Sequence, residues 1–511
     1  ALGSAPACPN TWHPVDHWWW WRASRVIHDR NLLGQDQEVI DEFPFFSFLL
    51  GDMHPHVLAL PFVLVAIGLA LNVLFSATGS GDSVFPMGDK LGLVFYALIL
   101  GGLSFLNTWD FPIYLALLVA AYGLALYRHK GYALSRAIEE GIRIGLLLGV
   151  GGVLLYLPFY IGFRSQASGI LPVLFNTTKV HQYLIMFGLF LFVGIAFLIR
   201  EVLSPSACTP GGKFWFITTG ALFFALVCVL LRRLLPALLI PVMLACAFKL
   251  LSREEEAEGQ APSSFALLLL LSGLLLTFVV EFIYIKDAFG IRMNTVFKFY
   301  YQAWVQMALA AAFGTYALLE GRRKLSPLPR MAFTVALGLL MAVGIYYPLA
   351  ASATRIFVEA PMPHPTLDGI AYFKEARPGD YEAIRWLNEN VRGAPVILEA
   401  TGGSYSEYAH ISACTGLPTV LGWDFHELQW RGSYDEPAKR RPDIEKIYTT
   451  PDAEEAARLL DKYGVEYVYI GPLEKRTYHL STATIQKFAK FMKLVYDAPD
   501  VKIFQRQPRL Q

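Results

Sequence analysis

From about residue 45 to 350 the chain is a succession of apolar blocks separated by short polar or charged stretches. A helix needs about 20 mostly apolar residues to cross the hydrocarbon core of a bilayer. Such blocks lie at about 57–76, 91–106, 111–127, 143–163, 182–200, 214–231, 234–250, 265–285, 299–319 and 331–350. The pattern predicts about ten transmembrane helices. The stretch 214–250 is the hardest to divide, because only Arg232, Arg233 and Pro236 interrupt it.

The rhythm changes toward the C-terminus. Asp380 to Val391 has helical spacing, with Ile384, Leu387 and Val391 on one side. Residues 395–400, 418–422 and 465–471 read as buried strands, and 501–505 as a fourth. Asp452 to Tyr463 follows Pro451 with acids in its first turn, as a helix start does. Helices alternating with apolar strands imply a small α/β domain with a largely parallel sheet. The expected fold class is therefore a polytopic α-helical membrane protein with a C-terminal soluble α/β domain. Its expected parts are an N-terminal segment over 1–44, a transmembrane domain over 45–353 and a soluble domain over 354–511.

Composition agrees with that division. The 511 residues are 55% hydrophobic, with a mean hydropathy of +0.41. Charged residues make up 17%, below the roughly 25% of a soluble domain. A net charge of +1 supplies no basic field for a nucleic-acid partner. The five cysteines, Cys8, Cys208, Cys228, Cys246 and Cys414, form no CxxC, which argues against a cysteine metal or redox motif. The chain starts at Ala1 with no signal peptide, which reads as a piece of a longer or processed protein.

Charge also sets the orientation, because Lys and Arg concentrate in cytoplasmic loops. The loops after the odd-numbered spans hold Lys90, Arg128, Lys130, Arg136, Arg143, Arg200, Lys213, Lys249, Arg253, Arg322, Arg323, Lys324 and Arg330. The opposite loops hold Arg164, Lys179, Arg232, Arg233, Lys286, Arg292 and Lys298. The first set is cytoplasmic by this rule, and the N-terminal segment and C-terminal domain face outward, in a cell membrane. Of the eleven His, only His129 then falls on the cytoplasmic side. Longer outer loops explain that bias as well as collected chemistry does.

Four stretches, all on the outer side, carry candidate chemistry. Asp41 to His56 (DEFPFFSFLLGDMHPH) places Glu42, Asp52, His54 and His56 at the mouth of the first span. Such groups serve as acid/base catalysts or hold a divalent metal near Asp52, His54 and His56. Gly51 and Pro55 imply a bend, and the bland alternative is a re-entrant segment whose polar groups satisfy broken backbone. Asn107 to Asp110 (NTWD) is a tight turn, with Asp110 read as a helix cap. Lys286, Arg292 and Lys298 run against the positive-inside bias. They suit the phosphate of a lipid-linked substrate, or ordinary anionic headgroups. Gly422 to Gly432 (GWDFHELQWRG) reads as a loop after a strand, where open α/β sheets bind ligands. There Trp423 or Trp430 would stack on a sugar, and Asp424, His426, Glu427 and Arg431 would contact hydroxyls, or the loop would dock its domain. The Trp18–Trp21 run reads as an interfacial anchor.

The blocks EFPFFSFLLGDMHPHVLALPF, LNTWDFP, RMNTVFKFYYQ and GLPTVLGW…HELQWRG resemble, in order, those of the YYY-type integral membrane proteins of bacteria and archaea, over nearly the whole chain. The Tyr-Tyr-Tyr run that names the family is absent; Tyr300-Tyr301 and Tyr346-Tyr347 come nearest. This implies that the family's N-terminal half lies on another chain or has been removed. The architecture in turn resembles the GT-C glycosyltransferases. That resemblance implies a transferase, or a subunit of one, moving a sugar from a polyprenyl-phosphate carrier to an extracytoplasmic acceptor. The alternative is a non-catalytic subunit or scaffold of a larger membrane complex. Partners so implied are the bilayer, the lipid-linked sugar and a partner membrane subunit. The catalytic acid of GT-C enzymes usually lies in the first outer loop, which here would mostly precede Ala1.

The charge bias makes a direct topological prediction. A cysteine placed at Ser326 should be shielded from an impermeant thiol reagent in intact cells and labelled only after lysis; labelling from outside would reverse the orientation.

Overall fold

The computed structural model describes residues 12–31, 33–77, 90–165, 167–203, 211–252, 260–287, 289–321, 324–359 and 366–507. Cys8, Cys208, Arg253, Arg322 and Arg323 lie outside them. The chain divides into two compact units, one of residues 1–163 and 167–361, the other of 164–166 and 362–511.

The first unit is helical. Its helices are α1 (Pro44–Leu50), α2 (Pro55–Leu58), α3 (Leu60–Ser76), α4 (Lys90–Leu106), α5 (Asp110–His129), α6 (Leu134–Leu155) and α7 (Leu157–Gly162). They continue with α8 (Val180–Val202), α9 (Gly212–Leu230), α10 (Leu234–Leu251), α11 (Gln260–Val279), α12 (Met293–Leu319) and α13 (Pro327–Thr354). Nine of the ten apolar blocks fall on these helices, while the block at 265–285 leaves α11 at Val279 and ends in a short strand, Ile283–Ile285. Among the described residues five helices are long and apolar enough to cross a membrane: Asp110–His129, Val180–Val202, Leu234–Leu251, Ala261–Val279 and Pro327–Glu359. Three more, Leu60–Ser76, Lys90–Leu106 and Phe214–Leu230, are apolar but shorter. The block at 143–163 is broken at Tyr156, where Pro158 starts α7. Small residues let helices approach closely in membranes. A Cβ on Gly101 of α4 would lie 2.7 Å from the Gly152 carbonyl oxygen of α6, so this crossing requires glycine.

Two short antiparallel ribbons tie the helix ends. One pairs β1 (His28–Arg30) with β2 (Asp36–Glu38), and the other pairs β3 (Ile170–Pro172) with β4 (Ile283–Ile285). Beside them Arg292 is buried. It donates to both carboxylate oxygens of Asp29, at 2.7 and 2.8 Å, and to Glu281 at 3.0 Å. The other oxygen of Glu281 accepts from the Thr177 hydroxyl and the Thr178 amide, while Arg233 donates to the Glu281 carbonyl. One guanidinium therefore joins β1, the turn before α8, the end of α11 and the start of α12.

Within the Trp run, Trp18 is exposed and Trp20 is built into the fold. Trp20 is fully buried, and its indole donates to Glu359 beyond α13. The Trp19 indole donates to Thr354.

The second unit contains a four-stranded sheet of β5 (Val396–Leu398), β6 (Val465–Ile470), β7 (Met492–Asp497) and β8 (Lys502–Arg506), in the order β5-β6-β8-β7. Only β5 and β6 are parallel; β6-β8 and β8-β7 are antiparallel. The expectation of a largely parallel sheet is thus corrected. The stretch 418–422 is not a strand but a single parallel bridge, Thr419 to Ile397. Strand β7 was not anticipated, because its Met492–Asp497 sequence has no continuous apolar run and its burial is partial. On β6, Val468 and Ile470 pack to one side with Ile444, Ile447 and Leu460, while Tyr467 and Tyr469 pack to the other with Ala383, Ile384 and Ile411. The first group comes from α18 (Asp435–Thr449) and α19 (Ala453–Lys462), the second from α15 (Pro378–Asn390) and α16 (His410–Thr415), which follow the short α14 (Ala371–Ala376). Asp452 caps α19, accepting from Glu454 and Glu455 amides.

Removing Arg292 leaves two buried carboxylates uncompensated, a change that typically costs about 3–5 kcal/mol. Arg292→Met should lower the unfolding free energy in mixed micelles by that order, with partial recovery in Arg292→Met/Asp29→Asn/Glu281→Gln. A loss under about 1 kcal/mol would show that the junction is marginal.

Candidate functional site

The site of the first unit begins with a bend. α1 ends at Gly51, whose φ of 73° is the left-handed conformation that glycine adopts freely. Asp52 then turns the chain, with its carboxylate accepting from the His54 amide at 2.8 Å. Pro55 opens α2, and the chain continues into α3. Three polar side chains are thereby turned inward together.

Glu42, Asp52 and His56 each offer a ligand atom, and these atoms lie within 4.8 Å of one another. His56 Nε2 is 3.4 Å from Asp52 and 3.8 Å from Glu42. His56 is almost completely buried, and neither ring nitrogen makes a hydrogen bond to a described residue. The ring is wedged edge-on between Phe297 and Tyr301 of α12, at 4.7 Å from each. An unsatisfied buried imidazole beside two carboxylates is costly unless something fills the gap. Two oxygens and one imidazole nitrogen with an open side suit a divalent cation such as manganese or zinc. Ser47 donates to Glu42 at 3.3 Å, and Arg25 stands 3.8 Å from it.

His54 lies outside that trio. Its Nδ1 is bonded to the other oxygen of Asp52, and its side chain is 46% exposed, so the ring can meet a substrate. The bond to Asp52 raises the His54 pKa despite partial burial. Burial alone would raise Asp52, but the bonds and charge from His54 hold it below its ordinary value. Burial raises Glu42. Burial, reinforced by the positive charge of Lys298, pushes His56 down to about 3.

The other sequence candidates fall in different places. Lys298, on α12, is half-buried one residue from Phe297, with its ammonium 4.6 Å over that ring. The structure therefore brings the Lys298 turn of α12 against the Glu42–His56 segment. Arg292 is buried and engaged by Asp29, Glu281 and Thr178. Lys286 is exposed, and its backbone pairs with Ser168 and Gly169. Asp110 does not cap α5; its carboxylate accepts from Gln302 of α12 at 2.8 Å. In the second unit Trp423 to Arg431 is not a loop: Trp423 precedes a helix, α17 (Asp424–Arg431). The Trp423 indole donates to the Tyr408 carbonyl, and Asp424 accepts from Tyr434 and Arg441. Glu427 pairs with Arg431, His426 packs against Tyr405 and Trp423, and Trp430 is exposed.

Arg25, Ser47, Tyr301, Asp110 and Gln302 escaped the sequence reading as site neighbours. One signal was available for two of them. Lys298, Gln302 and Gln306 recur every four residues along an apolar helix, and so do Asp110 and Tyr114.

The chain belongs to a family of membrane proteins described as "Uncharacterized membrane protein (DUF2298)", whose profile matches residues 3–307. This agrees with the family resemblance carried by its motifs. No curated protein matches the chain. Among solved structures, the chain is similar to an Archaeoglobus fulgidus oligosaccharyltransferase tethered to an acceptor peptide. That match has 14% identity and a TM-score of 0.32, over 91% of this chain and 57% of the other. The same organism's oligosaccharyltransferase with zinc and sulfate matches at 14% identity and TM-score 0.34, over 89% and 55%. Its complex with an inhibitory peptide and a dolichol-phosphate matches at 12% and 0.29, over 89% and 57%. The chain spans little more than half the length of those proteins.

Burial of His56 has a pH signature. Its folded pKa of about 3 lies below the ordinary 6.5. Between those values the unfolded chain takes up a proton that the folded chain does not, so this contribution to stability is complete above pH 6.5 and shrinks as pH falls. His56→Phe should therefore lose less melting temperature than the parent between pH 7 and pH 4. Parallel profiles would mean that His56 charges freely in the folded state.

Proposed function

We propose that this protein is a GT-C-like membrane glycosyltransferase, or the subunit of one that holds the donor, acting on a sugar carried by a polyprenyl phosphate outside the cytoplasm. The observation that carries the reading is the constellation at the bend: an exposed His54 bonded to Asp52, a buried Glu42–Asp52–His56 trio, and Lys298 facing them from α12. The motif resemblance to the YYY-type family and to GT-C architecture supports it.

In this reading His54 is the base. Asp52 fixes its ring and favours the imidazolium, as a carboxylate does for a catalytic histidine. The acceptor hydroxyl loses its proton to His54 as its oxygen bonds to the anomeric carbon. The bond from that carbon to the phosphate oxygen breaks, and the phosphate leaves with the electron pair. Lys298 meets the phosphate, since the Arg292 guanidinium is already engaged; Lys286 would guide headgroups at the exposed edge. Glu42, Asp52 and His56 would hold a divalent cation, which supplies positive charge to a phosphate oxygen. In the second unit, exposed Trp430 offers a stacking face for a sugar, with His426 beside the helix start.

The test is sugar transfer by the full chain in liposomes supplied with radiolabelled polyprenyl-phosphate hexoses. His54→Ala should reduce turnover roughly 10²–10⁴-fold, the usual contribution of a general base. Lys298→Met should mainly raise the KM for the carrier. Turnover unchanged by both would overturn the reading. Binding of carrier without transfer would favour the non-catalytic subunit.

A further inference from the structure

The bend leaves a charge problem that α5 and α12 are built to solve. Glu42 and Asp52 are two buried or half-buried carboxylates, and the positive groups acting on them are Arg25, 3.8 Å from Glu42, His54, bonded to Asp52, and Lys298. Among the described residues Lys298 makes no ion pair, although the charges of Asp110, Glu42 and Asp52 all act on it. Its position explains this. Lys298 sits one helical turn before Gln302, whose amide nitrogen donates to Asp110 Oδ1 at 2.8 Å. The Gln302 carbonyl oxygen accepts from the Tyr114 hydroxyl at 2.5 Å, which fixes the amide's orientation. Asp110 Oδ2 is fully buried and makes no hydrogen bond to a described residue. Toward the mouth, Lys298 lies beside Phe297, whose ring packs on His56. The ammonium is thus under the charge of both the mouth carboxylates and Asp110, whose Oδ2 makes no hydrogen bond to a described residue.

We infer that Lys298 is the movable counter-charge of the Glu42–Asp52–His56 site, and that Asp110 is a positioning residue that receives it when a divalent cation occupies that site. The inference rests on the cation site proposed above. Without a cation, Lys298 joins Arg25 and His54 in offsetting Glu42 and Asp52. Before a phosphate arrives, a bound dication makes the mouth too positive, and Lys298 is repelled along its flexible four-carbon stem, to be drawn back by the phosphate. Asp110, whose charge already acts on Lys298, then gains a charge-assisted bond at Oδ2. Gln302, held by Tyr114, keeps the Asp110 carboxylate oriented for that exchange. Asp110 touches no substrate; it acts through Lys298.

Manganese titration of the full chain in nanodiscs, followed by electron paramagnetic resonance, tests this without reference to turnover. Lys298→Met removes the competing charge and should tighten manganese binding about tenfold, a change of the size a unit charge several ångströms away exerts near a protein surface. Asp110→Asn keeps the oxygen that Gln302 bonds but deprives Lys298 of its alternative seat, so affinity should fall about tenfold. The double variant should bind as tightly as Lys298→Met alone, because Asp110 has no role once Lys298 is gone. Lys298→Arg should retain manganese affinity near the parent's. If Asp110→Asn leaves affinity unchanged, or if the double variant is as weak as Asp110→Asn, the exchange is wrong even though the cation site stands. If neither the parent nor Lys298→Met binds manganese in a His56-dependent manner, the cation site fails, and the inference with it.

Discussion

The buried guanidinium of Arg292 is the junction on which the rest of the first unit depends. Burying a charge is expensive unless it is paired and fully hydrogen-bonded, and here both conditions are met by groups from distant parts of the chain. Asp29 brings the N-terminal ribbon, Glu281 the end of α11, and Thr178 the turn before α8. Because the bidentate pair has one good geometry, it sets where α12 begins. The register of α12 in turn decides which side chains face the bend: Phe297 and Tyr301 clamp His56, and Lys298 faces the carboxylates.

A break in the helical run does complementary work at the mouth. A continuous helix through this stretch would keep Asp52 and His56, four positions apart, on one face, but would stand Glu42 ten positions, or about 15 Å, from Asp52 along the axis. Gly51 in the left-handed region and Pro55 at a helix start fold that stretch back. The fold places one imidazole where it is buried and unsatisfied and another where it is exposed and bonded. Two histidines two residues apart therefore have opposite pKa shifts, one raised by Asp52 and the other depressed by burial. Separation of this kind suits one group to proton transfer and the other to neutral ligation.

Arg292 and Lys298 show why residue type alone is a poor guide to phosphate binding. Both are outer cations six positions apart at the start of one helix. Arg, with five donors in a planar fork, is the better residue for a buried structural junction, and its donors are consumed there. Lys, with a point charge on a flexible stem, is the one left facing the polar cluster.

The sequence by itself determined the membrane class, because a series of long apolar blocks has no other stable solution, and it located the bend and its acidic and imidazole groups. It also marked α19, whose cap at Asp452 and amphipathic spacing are local properties. Partners were beyond its reach. Nothing near Arg292 in sequence announces Asp29, and nothing near Asp110 announces Gln302, because each pair meets only when helices pack. The mixed sheet of the second unit follows the same rule: β6 is a continuous apolar run and legible, whereas β7 is partly exposed, and the 418–422 run is apolar without pairing beyond one bridge. Local pattern records which surfaces must be buried. Tertiary packing chose what buries them, and so decided that Arg292 is a fastening and that Lys298 makes no ion pair among the described residues.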